Sequence, residues 1–231
     1  MNILAIGDPH GKLPKNLDKI VISNKVDIVV CVGDFPPVPT AFRKGKINYF
    51  PKPFLKKADK LFRTIVDKLC SYKKPVLVLR GNMYLTGSRN KLTKEIFSSH
   101  SNLFYKKTGA IKINNQNFIF FDMSFEPHMY LRTDSWMKRQ HVSAKKREIK
   151  LDKLLKKTKD PIIISHAPPF GYLDKTIKGN RGSKILLRAI KKYSPNMVLC
   201  GHVHERKGKV KIGKTDIYNL GCCGDYKIFK V

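Results

Sequence analysis

A chain of 231 residues with 42% hydrophobic content can bury a sizeable core and is far from a disordered composition. No stretch approaches the roughly 18–20 apolar residues of a membrane helix, and no basic, cleavable leader precedes the first apolar run, so a cytoplasmic protein without membrane attachment is expected. Lys and Arg number 47 against 17 Asp and Glu, a net charge of +30 that draws polyanions non-specifically, although only ten of those cations are Arg.

Residues 2–6 form a short apolar run that stops at Gly7, the pattern of a buried parallel strand entering a tight loop. Asp8 and His10 follow it. A helix is expected over 14–23, with Leu17, Ile20 and Val21 on one side, and a second buried strand over 27–32, ending at Gly33-Asp34-Phe35. Four prolines and Gly45 make 36–53 a long loop. Residues 54–71 are an amphipathic helix with a stripe at Leu55, Ala58, Leu61, Phe62, Ile65, Val66 and Leu69. A third strand, 76–79, runs into Arg80-Gly81-Asn82-Met83.

Segments 111–113 and 118–121 read as a hairpin turning at Asn114-Asn115-Gln116. Residues 124–140 show no clear period and are expected as loop, followed by a basic helix over 142–157 with Ile149, Leu151, Leu154 and Leu155 inward. A fourth strand, 161–164, ends at Ser165-His166. A helix over 183–193 leads to a fifth strand, 197–200, that ends at Gly201-His202-Val203-His204. Short strands over 209–212, 216–220 and 227–231 complete one domain, with no internal repeat or linker. Cys31, Cys70 and Cys200 lie in apolar segments. Cys222-Cys223 lack metal-ligand spacing, and an odd total of five argues against a disulfide framework.

Five strands thus end in a potential ligand: Asp8 and His10, Asp34, Asn82, His166, then His202 and His204. In open α/β sheets ligands bind beyond the carboxyl ends of the strands. Mixed nitrogen and oxygen donors suit Mn, Fe, Zn, Ni or Co better than Mg or Ca.

The series Gly7-Asp8-x-His10, Gly33-Asp34, Gly81-Asn82, His166 and Gly201-His202-x-His204 resembles the calcineurin-like metallophosphoesterase superfamily, in its order and over essentially the whole chain. The stretch from His166 through Pro168-Pro169, Gly171 and Asp174 to Gly182-Ser183 resembles small prokaryotic-type members. The resemblance implies a four-layer α/β/β/α sandwich holding two divalent metals, Mn foremost, with Mg still open. One metal would take Asp8, His10, Asp34 and His204, and the other the shared Asp34 with Asn82, His166 and His202. It also implies hydrolysis of a phosphodiester or phosphomonoester by metal-bound hydroxide, with no protein nucleophile. Where the family often has a His after Gly-Asn, this chain has Met83, which cannot donate a proton. Arg80, His128 or lysines are the alternatives for phosphate contact, and His100 and His141 read as surface residues. The rival readings are a metal-dependent nuclease, suggested by +30, and a metal-binding scaffold without turnover, suggested by Met83.

Overall fold

A computed structural model of the chain describes residues 1–39, 51–83, 87–122, 126 and 135–231, without the side chains of 87–88 and 135–141. The backbone divides into two compact units, residues 1–104 with 222–231, and residues 105–221. Among the described residues there are two multi-stranded sheets and five helices. No helix among them is long and apolar enough to cross a membrane.

The first unit is built on β1 (Asn2–Ile6), α1 (Leu17–Ser23), β2 (Ile28–Cys31), α2 (Lys52–Cys70), β3 (Val76–Val78), α3 (Gly87–Ser98) and β4 (Leu103–Tyr105). Its sheet has β1, β2 and β3 in parallel register and is closed at one side by the antiparallel last strand, Tyr226–Lys230. Every residue of β2 and β3 is buried, as expected of parallel strands that read as continuous apolar runs. Helix α2 turns Ala58, Phe62, Ile65, Val66 and Leu69 inward, the predicted stripe, while Leu55 and Leu61 are only half-buried. It begins at Lys52, so the loop expected over 36–53 ends earlier than the prolines suggested; Pro at the first turn suits a helix start. Residues 40–50 of that loop lie outside the described residues. Phe35, directly after Asp34, stacks on Phe62 at 5.2 Å between ring centroids and meets Phe97 edge-on at 5.8 Å. Helix α3 and strand β4 had no sequence expectation. The apolar spacing of α3 is weak, and packing against α2 rather than its own pattern makes it a helix.

The second unit contains β5 (Thr108–Ile113), β6 (Gln116–Phe121), α4 (Ser135–Lys157), β7 (Ile162–Ser165), the ribbon β8 (Lys175–Thr176) and β9 (Gly179–Asn180), α5 (Lys184–Tyr193), β10 (Met197–Cys200), β11 (Gly208–Ile212) and β12 (Thr215–Asn219). Strands β6, β7, β10 and β12 run parallel, with β5 and β11 antiparallel at the two edges. The tail strands, completed by β13 (Tyr226–Lys230) in the first unit, are shifted by about one residue from the expected segments. The hairpin turn is Asn114-Asn115 alone, both at positive φ, and Gln116 pairs with Ile113 inside the ladder. Two left-handed residues match the twist of a two-residue hairpin, which is why the third expected turn residue is not needed.

Helix α4 starts at Ser135, correcting the loop expected through 140; positions 124–125 and 127–134 of that loop, His128 among them, lie outside the described residues. Ala144, Leu151 and Leu155 of α4 and Ile185, Leu186, Ala189 and Ile190 of α5 pack with Phe121, Ile163, Val198 and Ile217 of the sheet. Ile149, expected inward, is exposed, because it lies two residues from Leu151 and so on the far side of a helix with 3.6 residues per turn. Polar ties join α4 to α5: Arg188 with Glu148, and Lys192 and Tyr193 with Asp152.

The Lys192 ammonium and the Tyr193 hydroxyl pull the Asp152 carboxyl down to about 2. A depressed acid stabilises the fold above its unfolded pKa and loses that contribution as pH falls through the folded value. Asp152→Asn is therefore expected to flatten the acid limb of the stability curve between about pH 4 and 2, read from thermal melts across that range. Phe35→Ala should cost ~3–5 kcal/mol in chemical denaturation, because it empties the centre of a buried aromatic cluster.

Candidate functional site

The parallel strands of the first unit deliver four expected ligands to one sheet edge: Asp8 and His10 beyond β1, Asp34 beyond β2 and Asn82 beyond β3. Asp8, His10 and Asp34 are all buried. Asp34 sits in a left-handed backbone conformation, φ +47, which Asp tolerates better than most residues. Its N–H donates to the Arg80 carbonyl at 3.0 Å, and its own carbonyl accepts from the His10 N–H at 2.9 Å. Its Oδ1 accepts from the Met83 N–H at 2.9 Å. Gly81, φ +81, closes this cradle: a Cβ there would stand 2.3 Å from Asp34 Oδ1 and 2.7 Å from its nitrogen. The glycine before Asn82 is thus dictated by the carboxylate of a different strand.

His10 is oriented by the loop that follows Asp34. Its Nδ1 lies 3.1 Å from the carbonyl oxygen of Pro36. A carbonyl only accepts, so Nδ1 carries a proton, and in the neutral imidazole Nε2 then presents a lone pair. Nε2 lies 4.0 Å from Asp34 Oδ2, too far for a direct hydrogen bond. A basic nitrogen and a carboxylate oxygen at that separation, with the far nitrogen anchored on a carbonyl, fit two ligands of one divalent cation. The donor atoms of Asp8 and His10 also lie within 4.8 Å of each other.

The second unit brings His166, His202 and His204 together at the ends of neighbouring parallel strands, β7 and β10. The His166 carbonyl accepts from the Gly201 N–H at 3.0 Å, which locks the two strand ends. The rings of His166 and His202 lie 4.9 Å apart between centroids at 62°. His202 takes a positive φ of +69, and His204 opens a short 3-10 turn, His204–Arg206. Buried Asn219, at the end of β12, donates to the Val203 and Leu173 carbonyls and accepts from the Gly221 N–H through Oδ1. Sequence reasoning missed it; the available signal was a polar residue closing an apolar strand.

Asp8, His10, Asp34, His166, His202 and His204 all fall in groups of side chains that could hold a metal ion. The motif residues Asp174, Gly182 and Ser183 serve the scaffold. Buried Asp174 accepts from the Gly182 N–H at 2.9 Å, and a Cβ on Gly182 would meet Asp174 Oδ2 at 2.7 Å. Ser183 caps α5, accepting from the Leu186 N–H, and donates to the buried carboxylate of Glu126, which also accepts from the Lys184 N–H. Met83 contributes its backbone to Asp34, a role indifferent to its side chain. The Arg80 guanidinium donates to Asn90 Oδ1, and His100 lies 2.8 Å from Asp67 at the surface.

Residues 1–206 match the family described as calcineurin-like phosphoesterase. The chain belongs to that family of phosphoric ester hydrolases. This phosphoesterase is 28% identical over 232 residues to an uncharacterized protein of Methanocaldococcus jannaschii, covering 95% of this chain and 87% of that protein. A UPF0046 protein of Caenorhabditis elegans is 36% identical over 62 residues, and that match spans 27% of this chain but only 21% of the nematode protein's length. TT1561 of Thermus thermophilus shares the fold with a TM-score of 0.54 at 16% identity, over 96% of this chain and 89% of its own. GAP50, described as the anchor in the inner membrane complex of Plasmodium, does so with 0.56 at 15%, over 97% and 71%. The α/β class with two sheets, expected from the motif resemblance, is the class observed.

Gly81→Ala in this phosphoesterase is expected to displace the Asp34 carboxylate and lower retained divalent metal by at least half, read as metal per chain by mass spectrometry after desalting, with the fold retained in circular dichroism. Full metal content in the variant would show that the Gly81–Asp34 contact does not govern binding.

Proposed function

We propose that this chain is a binuclear metal-dependent phosphoesterase, formed as one domain over 1–231, with Asp8, His10, Asp34 and His204 on one ion and Asp34, Asn82, His166 and His202 on the other. The observation that carries the reading is His10 Nε2 set 4.0 Å from Asp34 Oδ2, with Nδ1 committed to the Pro36 carbonyl. By the family resemblance Mn leads as the ion, with Fe, Zn, Ni, Co and Mg as the alternatives to be compared. Two divalent ions held there would polarise a phosphoryl oxygen and lower the pKa of water.

The chain's own residues orient and insulate. Pro36 fixes the His10 tautomer, while Arg80, Gly81 and Met83 hold Asp34 through the backbone. Neither the Cys31 thiol nor the Ser165 hydroxyl is set up as a nucleophile. Burial, with the carboxylates of Asp8 and Asp34, pushes the Cys31 thiol up, and the Ser165 hydroxyl is spent on the Ala167 carbonyl at 2.8 Å. With Met83 in place of a proton donor, the reading favours phosphodiesters and good leaving groups over poor ones. Five free cysteines suit a reducing, cytoplasmic setting.

The test compares bis-p-nitrophenyl phosphate with p-nitrophenyl phosphate after chelation and reloading with single metals. Activity is expected to return with Mn and to favour the diester. His166→Ala should lower kcat/KM by more than the ~10–100-fold typical of an outer-shell change. Turnover that survives chelation, or that persists in His166→Ala, would overturn the reading, and metal binding without turnover under any metal would leave the scaffold alternative. Met83→His is expected to raise hydrolysis of phenyl diesters relative to p-nitrophenyl diesters, within the ~10²–10⁴-fold range of a general acid.

A further inference from the structure

The ribbon β8–β9 is a small feature built with unusual care. It pairs Lys175 with Asn180 and Thr176 with Gly179, and turns through Ile177 and Lys178. The Thr176 hydroxyl donates to the Gly179 carbonyl at 2.8 Å and accepts from the Lys178 N–H at 3.1 Å. Two-stranded ribbons this short are marginal alone, and this one is rooted from outside. Asp174 holds both returning N–H groups, those of Arg181 and Gly182, at 2.9 Å. Arg206 Nε donates to the Lys175 carbonyl at 2.9 Å, and Asn219 links the Leu173 and Val203 carbonyls. Arg206 is the third residue of the turn that starts at His204. The ribbon is therefore fastened to the turn that carries one of the proposed metal ligands, His204, two residues after another, His202.

At its tip Ile177 stands fully in solvent, the most exposed large apolar side chain among the described residues. Its neighbours in sequence are cationic: Lys175, Lys178 and Arg181. Between 161 and 204 the only acidic residue is Asp174, which is buried and committed to the backbone; Glu205, exposed, is the nearest counter-charge in sequence. An anchored finger with one aliphatic tip among cations matches a nucleic-acid strand, whose phosphates take the cations while an apolar side chain packs against a base. A lipid surface fits it less well, because a single isoleucine without apolar neighbours offers little area to insert.

We propose that this ribbon is a polynucleotide-binding finger that guides a single strand to the phosphoesterase site, which makes nucleic acid the substrate class; the catalytic half of this inference rests on the function proposed above. The test measures binding of a labelled oligothymidylate by fluorescence anisotropy across a salt series, with the full chain. Lys175→Ala/Lys178→Ala should weaken binding about tenfold and reduce the slope of log K against log salt by ~1.4, at ~0.7 per lost phosphate contact. Ile177→Ser should weaken binding with the slope unchanged. Lys56→Ala/Lys57→Ala, two exposed lysines on α2, should stay within about twofold of wild type. The ratio of oligonucleotide to bis-p-nitrophenyl phosphate hydrolysis should fall about tenfold in the ribbon double variant.

Equal losses in the ribbon and α2 variants would reduce the effect to general charge and overturn the finger. Loss of binding to anionic phosphatidylserine vesicles, with oligonucleotide binding retained, would assign the ribbon to a membrane and overturn it likewise. Ribbon-dependent binding without hydrolysis of either substrate would sink the enzymatic reading and the guiding role, while upholding the strand-binding finger. Diester hydrolysis with ribbon-independent strand binding would sink the finger and its guiding role while upholding the enzymatic reading.

Discussion

A buried carboxylate must be given donors or a cation, and the first unit is arranged around that requirement at Asp34. Its carbonyl, its N–H and one carboxylate oxygen are each bonded to the chain segments that follow β1 and β3. The left-handed backbone at Asp34 turns the chain sharply enough to send Phe35 back into the core beside Phe62 and Phe97. Packing free energy from the aromatic cluster thus offsets the strain of placing a carboxylate at a sheet edge. Three strand ends are set by one residue.

The second unit places histidines rather than carboxylates at its strand ends. Histidines at strand ends need fixed backbones more than they need counter-charges, and the fixing comes from Gly201 on His166 and from Asn219 beneath Val203. Asn219 is useful because one amide both donates and accepts, so a single buried side chain satisfies three backbone groups. Asp174, Ser183 and Glu126 extend the logic away from the site. Each satisfies N–H groups at a loop or helix start that has no partner within its own element.

The excess of positive charge has a different status from the site. It is spread over helices, loops and strands alike, and on the helices lysines are solvated or paired one at a time, as Lys68 is with Asp18 and Lys192 with Asp152. Such pairs say little about a partner. A charge acquires meaning where the backbone beneath it is held rigid and where acids have been withdrawn from the surface. The β8–β9 ribbon meets both conditions.

What the sequence determined by itself was the set of strands with their terminal donors. Continuous apolar runs that stop at Gly-Asp, Gly-Asn or Gly-His carry their own evidence, because burial on both faces and a forced turn leave a local trace. The core stripes of α2 and α5 were legible for the same reason. The tertiary structure decided what depends on distant partners. Helix α3 owes its existence to packing, and Ile149 faces solvent because the α4 stripe was set by Leu151 and Leu155. The roles of Asn219, Glu126 and the Met83 backbone are hydrogen bonds across long sequence separations. Why Gly81 must be glycine is likewise invisible in one dimension, since the atom it would strike belongs to Asp34, forty-seven residues earlier and one strand away.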